Sequence, residues 1–414
     1  MIRNVLILGW FVCVAQVHAT IHHSSDLGWV AGQDISAEFA ALCSGGTIAA
    51  GDELKLDHTY RISGTHQLPD DFVLSAVKGG GFDVTDAVSD KNRTFLILGN
   101  RTTLRNLTIT YLGTPVLGPD ACTNPTRGVH FYPMTGITAS EKSDIRIERC
   151  RLEGSINHHV KLPHCARPQV IGCHILGGFW STYLSGNVTD AVFRNCLIEK
   201  CQGDGIKTGR GGSYGVKRAL VENCVFQDCG RDAIDTTGGW KDSIVRNCVM
   251  RRLFSGMDIK SYFEKPEHLS PDCSNTGILV ERCTFTDMAN CITFSTLDRG
   301  LVRHGSYFLD AASAQKYAPH DVDVNDCIFE RTGPSGVRML LLKGGHSIRY
   351  RNVQFRGDGI ETVKYSNVYE TFGPKSLSRE VSEALNHSVS GTLGATAAPR
   401  APGDTSISFE CGPR

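Results

Sequence analysis

Three short phrases hold the residues best suited to chemistry: Asp204-Gly205-Ile206-Lys207, Asp232-Ala233-Ile234-Asp235 and Asp258-Ile259-Lys260. In each, acidic or basic residues flank an aliphatic one, and in an extended chain such neighbours face away from the side that buries the aliphatic group. Gathered at one place, Asp204, Asp232, Asp235 and Asp258 would repel one another unless a cation neutralised them, and hard oxygen ligands suit Ca2+. A calcium ion beside Lys260 would depress the pKa of its ammonium and let the amine act as a base. The same ion would bind a uronate carboxylate and acidify the C5 proton. Removing that proton and expelling the C4 substituent is β-elimination, which cleaves an acidic polysaccharide without water.

These phrases lie far apart in the chain, so the fold must stack them, and a repeat supplies the means. A β-branched or aliphatic residue, polar residues, then Cys recurs at Ile147–Cys150, Ile171–Cys173, Phe193–Cys196, Val221–Cys224, Val245–Cys248, Val280–Cys283 and Val324–Cys327. Leu104-Arg105-Asn106-Leu107 and Tyr350-Arg351-Asn352-Val353 are outer copies in which an aliphatic residue replaces Cys. Successive cysteines are 23, 23, 28, 24, 35 and 44 residues apart. A second phrase follows each Cys about ten residues on: His159-Val160-Lys161, Gly205-Ile206-Lys207, Ala233-Ile234-Asp235, Asp258-Ile259-Lys260, Cys291-Ile292-Thr293 and Gly336-Val337-Arg338. Short strands at a period in the twenties, separated by polar turns, predict an all-β, right-handed parallel β-helix. Stacking would then line up Lys161, Lys207, Asp235, Lys260, Thr293 and Arg338 on one sheet, with His158, His159, Asp204, Asp232, Asp258 and Asn290 beside them.

The same stacking explains the cysteines. Residues at one phase of successive coils lie ~4.8 Å apart, and small apolar thiols fill such an interior column. The ladder cysteines are expected to be reduced core residues. Cys196 with Cys201 and Cys224 with Cys229 are the right distance apart for local disulfides, and Cys43, Cys122, Cys165, Cys273 and Cys411 lie outside the ladder as further disulfide candidates. No His or Cys cluster has zinc spacing.

Composition agrees with this reading. Over 414 residues, 43 Lys and Arg balance 43 Asp and Glu, which excludes the basic footprint of a dedicated nucleic-acid binder. With 41% hydrophobic and 21% charged residues the chain is not disordered, and its 44 glycines fit turns between coils. Length alone would predict two or three domains; the repeat predicts one solenoid instead. Met1 to Ala19 reads as a secretory signal: Arg3, then the apolar Val5 to Val17, then Val17-His18-Ala19. No second apolar run offers a membrane span. Sequons at Asn92, Asn100, Asn106, Asn187 and Asn386 fit a secreted glycoprotein. The expected organisation is a signal at 1–19, an N-terminal cap and first coils at 20–95, the β-helix at 96–375 and a C-terminal tail at 376–414. Within the cap, 35–48 is predicted to be an amphipathic helix closing the open end of the solenoid. A secreted monomer is expected, with no nucleic-acid or membrane partner.

The three phrases resemble those of secreted polysaccharide lyases of the pectate lyase-like superfamily, above all the family-9 pectate lyases. The resemblance implies that Asp204, Asp232 and Asp235 are calcium ligands, with Asp258 on the adjoining phrase, and that Lys260 is the base. Arg231 stands where that family has a further Asp, which removes a ligand. A second likeness, to the chondroitinase B and alginate lyase family, rests on Lys260-Ser261 and Arg303-His304-Gly305 and selects Lys260 again. Arg303 and Arg338 then compete to clamp the substrate carboxylate bidentately, while Lys207, Lys161 and His159 would contact substrate in neighbouring subsites. Three alternatives remain. A polygalacturonase-type hydrolase would use the same carboxylates as acid and base, although its Asn-Thr-Asp, Asp-Asp and Gly-His-Gly phrases are absent. A mannuronan C5-epimerase is echoed by Pro319-His320-Asp321, with Ala318 in place of that family's first Asp. The third is a glycan-binding β-helix without catalysis.

Overall fold

The computed structural model describes residues 19–46, 48–87, 93–114, 134–209, 215–237, 239–262, 274–297, 317–333, 337–365 and 389–393. These form a right-handed parallel β-helix with a single short helix near its N-terminal end. Each coil contributes a strand to each of three parallel sheets. Two of the sheets are joined at a tight corner, and the third is an 11-stranded face.

The corner explains the first repeated phrase. In the coil Leu220–Gln227, strand Leu220–Glu222 turns through Asn223 and Cys224 into strand Val225–Gln227. The residue before Cys is left-handed in coil after coil: φ is 51° at Arg149, 56° at Asn195, 54° at both Asn223 and Asn247, and 54° at Asp326. Asn and Asp tolerate that region best among residues with a Cβ, which accounts for their recurrence there. Each following Cys turns its thiol inward toward the previous coil. Cys173 Sγ donates to the Ile147 carbonyl at 3.3 Å, Cys196 to Val170 at 3.4 Å and Cys224 to Phe193 at 3.6 Å. Deeper in, Leu54, Leu74, Leu104, Ile147, Val170, Phe193, Val221, Val245, Val280 and Val324 stand in one continuous register. No single coil has a core of its own; stacking creates it.

The cysteines of the described residues are all free thiols. The local disulfides for which Cys196 with Cys201 and Cys224 with Cys229 were candidates are therefore absent, and Cys43 and Cys165 are also unpaired. The reason is geometric: Cys201 and Cys229 occupy one interior column and the ladder cysteines another, so thiols five residues apart face different neighbours. Cys122, Cys273 and Cys411 lie outside the described residues.

The predicted helix is shorter than 35–48, running from Ser36 to Ser44. Its buried residue is Phe39, whose ring meets Trp29, His66 and Phe82 edge-on at 6.4, 5.1 and 5.4 Å. The first coil strands begin before the repeat becomes visible in the sequence, with Ile21–His23 pairing to Glu53–Leu56. Among the described residues no helix is long and apolar enough to cross a membrane.

Candidate active site

The 11-stranded face carries the three phrases on consecutive strands, Ile206–Thr208, Asp232–Asp235 and Ser255–Tyr262. Each strand enters the face with two buried residues in succession, such as Ala233 and Ile234, because the chain bends there from the preceding sheet. The outer positions therefore fall on either side of that pair, at Asp232 and Asp235 on one coil and at Asp204 and Lys207 on the coil before. Gly205 lets its neighbours approach closely: a Cβ there would lie 2.8 Å from the Ala233 carbonyl oxygen and from the Phe226 ring.

Carboxylate oxygens of Asp204, Asp232 and Asp235 lie within 4.8 Å of one another, and all three residues are buried. Two lysines thread between them. Lys207 Nζ is paired with Asp235, lies 3.4 Å from Asp204 Oδ2 and donates to Thr237 Oγ1 at 3.1 Å. Lys260 Nζ lies 2.8 Å from Asp235 Oδ2 and 2.6 Å from Asp258 Oδ2. Asp235 also accepts the Thr237 backbone N–H at 3.0 Å.

This crowding separates the titration of Asp232, Asp235 and Asp258. Burial would raise Asp235, but the two ammonium groups outweigh it and hold the carboxyl well below the usual range. Burial and the charges of Asp204 and Asp258 push Asp232 well above it, so Asp232 favours its protonated form. Asp258 is also raised, by burial against the opposing pull of Lys260. Burial works against the Lys260 charge, yet Asp235, Asp258, Asp232 and Asp204 together raise its pKa well above that of a free lysine. As arranged, Lys260 is held as an ammonium, whereas the expected base role needs a free amine.

The residues expected to form one strip are only partly brought together. Lys161, Tyr183, Lys207, Asp235, Asp258 and Thr293 share one register. Lys260 is one pleat further along its strand, opposite Ser295, and enters the cluster by the reach of its side chain. Arg338 is opposite Asn290, not Thr293; it donates to Asn290 Oδ1 at 3.2 Å and pairs with Glu361 at 3.4 Å, away from the cluster. Lys207 is 4% exposed and committed to Asp235, so it holds the cluster together and does not offer a free charge to substrate. His159 is fully buried and cannot meet a substrate. It occupies the inward position of the bend, against Tyr111 at a ring separation of 5.5 Å. Arg303, with His304 and Gly305, lies outside the described residues.

Calcium fits this donor set in kind and in spacing: three buried carboxylates face one another, and Asp204 Oδ2 has only the Lys207 ammonium, 3.4 Å away, beside it among the described residues. The ammonium groups of Lys207 and Lys260 stand in the same space, so a cation would have to displace both from Asp235.

A neighbouring feature escaped the sequence. One coil earlier, strand Trp180–Ser185 presents Trp180 and Tyr183 on this face, their rings stacked at 5.4 Å and 16°. That coil lacks the aliphatic-plus-charged phrase, because Thr182 takes the inward position held by Val160 and Ile206 in the adjacent coils. Counting ten residues from Cys173 does land on Tyr183, so spacing alone was the usable signal.

Residues 92–249 match the family described as the right handed beta helix region. No curated protein matches the sequence. Among solved structures, the chain is similar to the polygalacturonase of Erwinia carotovora ssp. carotovora, at 13% identity and a TM-score of 0.62 over 84% of this chain and 96% of that one. It is similar to PfbA, a surface adhesin of Streptococcus pneumoniae, at 11% identity and 0.57 over 84% and 90%. The hyperthermoactive exopolygalacturonase of Thermotoga maritima gives 11% and 0.52 over 84% and 91%. At these identities the likeness establishes the fold.

Proposed function

We propose that this protein is a secreted enzyme that cleaves an acidic, uronate-containing polysaccharide, and that it does so by acid–base hydrolysis at the carboxylate cluster. One observation carries the reading: on a single strand, burial and the charges of Asp204 and Asp258 push Asp232 toward its protonated form, while Lys207 and Lys260 hold Asp235 ionised. Pairs of titratable groups whose surroundings push their pKa values apart mark acid and base roles. Asp232 is the proton donor to the leaving oxygen. Asp258, whose side chain at 19% exposure is the most open of the set, takes the proton from water. Asp235, Lys207 and Lys260 hold these two in place. Two of the similar structures are polygalacturonases, which supports a polysaccharide substrate, and the face is long enough for several sugar units.

β-Elimination is the second reading, favoured by the three facing carboxylates. In that case Asp204, Asp232 and Asp235 would hold calcium, which supplies positive charge beside the uronate carboxylate. Lys260, released from Asp235, would be the group that takes the proton.

Incubation with polygalacturonate, alginate and glycosaminoglycans separates the two. Hydrolysis releases reducing ends without ultraviolet absorbance, whereas elimination creates a conjugated double bond that absorbs. Rising absorbance that depends on Lys260 would replace the hydrolytic reading with the second one. Reducing ends without absorbance, lost in Asp232→Asn and in Asp258→Asn by about 10²- to 10⁴-fold, are the expected result.

A further inference from the structure

We infer that Trp180 and Tyr183, with Lys161 and His158, form a subsite for an acidic sugar ring immediately beside the carboxylate cluster. The inference rests on the cluster being carbohydrate-active, and it assigns a role to residues outside the acid–base machinery.

The Trp180 and Tyr183 rings lie nearly parallel, and both residues are only partly buried, so the pair offers an aromatic plane on the outer side of the strand. Such a plane covers the apolar face of a pyranose. The indole edge is fixed from the next coil: a Cβ at Gly203 would lie 3.0 Å from Trp180 Cδ1 and 3.2 Å from its Nε1. Only a glycine lets the ring sit that close.

Polar groups converge on the same plane. The His158 ring lies 4.8 Å from Tyr183 and 5.6 Å from Trp180, and the residue is 5% exposed. His158 Nδ1 meets Thr135 Oγ1 at 3.3 Å, while His158 Nε2 and Trp180 Nε1 have no hydrogen-bond partner. Buried polar groups without partners are rare in native structures and ask for an explanation. Both atoms are sealed from solvent, so the partly exposed ring stack, and not these atoms, is what a sugar can reach.

Charge then selects the sugar. Lys161 Nζ lies 6.0 Å from the Tyr183 ring centroid and has no ion-pair partner among the described residues. Lys207 Nζ stands 5.8 Å from the Trp180 ring, but its charge is already spent on Asp235. Among the described residues the subsite thus keeps one cation without an ion pair beside an aromatic plane, the combination that suits a sugar carrying a carboxylate. Tyr183 is in register with Lys207, so the plane is one coil, ~4.8 Å, from the cluster. That places it under the sugar adjoining the bond to be cleaved.

The test is calorimetric titration of the full chain carrying Asp232→Asn, which prevents turnover. The probes are trimers of galacturonate, mannuronate and guluronate, and their carboxyl-reduced neutral counterparts. At least one acidic trimer is expected to bind. Trp180→Ala should weaken it about tenfold and Trp180→Phe much less. Lys161→Gln, at a partly exposed position where folding is not at risk, should weaken the acidic trimer five- to tenfold and leave its neutral counterpart unchanged. Undiminished binding by both Trp180→Ala and Lys161→Gln overturns the subsite, and loss of hydrolysis in Asp232→Asn would still support the cluster. Failure of every acidic trimer to bind overturns the subsite together with the acidic-polysaccharide reading.

Discussion

Lys260 and Asp235 are not register partners, yet they form the ion pair that closes the cluster. Asp235 lies opposite Asp258 across the sheet, while Lys260 sits one pleat further on and reaches back to 2.8 Å from Asp235 Oδ2. Asp235 thereby carries two ammonium groups, one from the coil before it and one from the coil after.

That arrangement makes Asp235 the keystone of the site's stability. Asp235→Asn keeps the shape but takes from buried Lys207 its nearest counter-charge, leaving only Asp204 at 3.4 Å. Removing one partner of a buried ion pair costs about 3 kcal/mol or more. Urea denaturation should show that loss, and a variant as stable as the parent would contradict the pairing.

Asp232 should behave in the opposite way. A carboxyl whose folded pKa lies above its unfolded value of 3.8 supports the fold at low pH and loses that support as pH rises through the folded pKa. Asp232→Asn removes the penalty of ionising beside Asp204 and Asp258. The variant should be more stable than the parent at pH 7 by more than about 1 kcal/mol, the equivalent of one pKa unit. It should lose this advantage near pH 4 and be inactive throughout. Denaturant midpoints across pH check this; a destabilised variant at pH 7 would show that the cluster gains from the charge.

Chelation should leave activity intact. Lys207 and Lys260 already neutralise the carboxylates from within, so no added cation is needed to hold Asp235 ionised. Dialysis against a strong chelator followed by the reducing-end assay checks this. A loss restored by calcium alone would favour elimination.

The cysteine ladder should be silent in the folded state. Cys173, Cys196, Cys224, Cys248 and Cys283 are at most 1% exposed and make no disulfides. Thiolate is the reactive form, and apolar burial disfavours it. A thiol-specific chromogenic reagent should not modify these five in native protein and should modify all of them after denaturation. Peptide mapping showing native labelling would mean the coils open.

The fold was legible because a solenoid writes its period into the chain. A coil that cannot bury its own apolar residues must repeat them, and the left-handed corner before each Cys must be filled by residues that tolerate it, such as Asn223 and Asn247. Strand alternation tells inward from outward residues locally and marks Lys207 and Asp235 as outward, while Asp204 and Asp232 stand out as acidic neighbours of the same phrases. Tertiary structure decided what local period cannot. The link from Cys248 to its inward residue Met257 is one residue shorter than that from Cys224 to Ile234, so Asp258, not Lys260, lies opposite Asp235. At the bend into the 11-stranded face two successive residues turn inward, which hides His159 and leaves His158 beside Trp180. Which neighbours meet across coils depends on loop length, on the bend and on side-chain reach. Those are properties of the stacked assembly, and no single coil contains them.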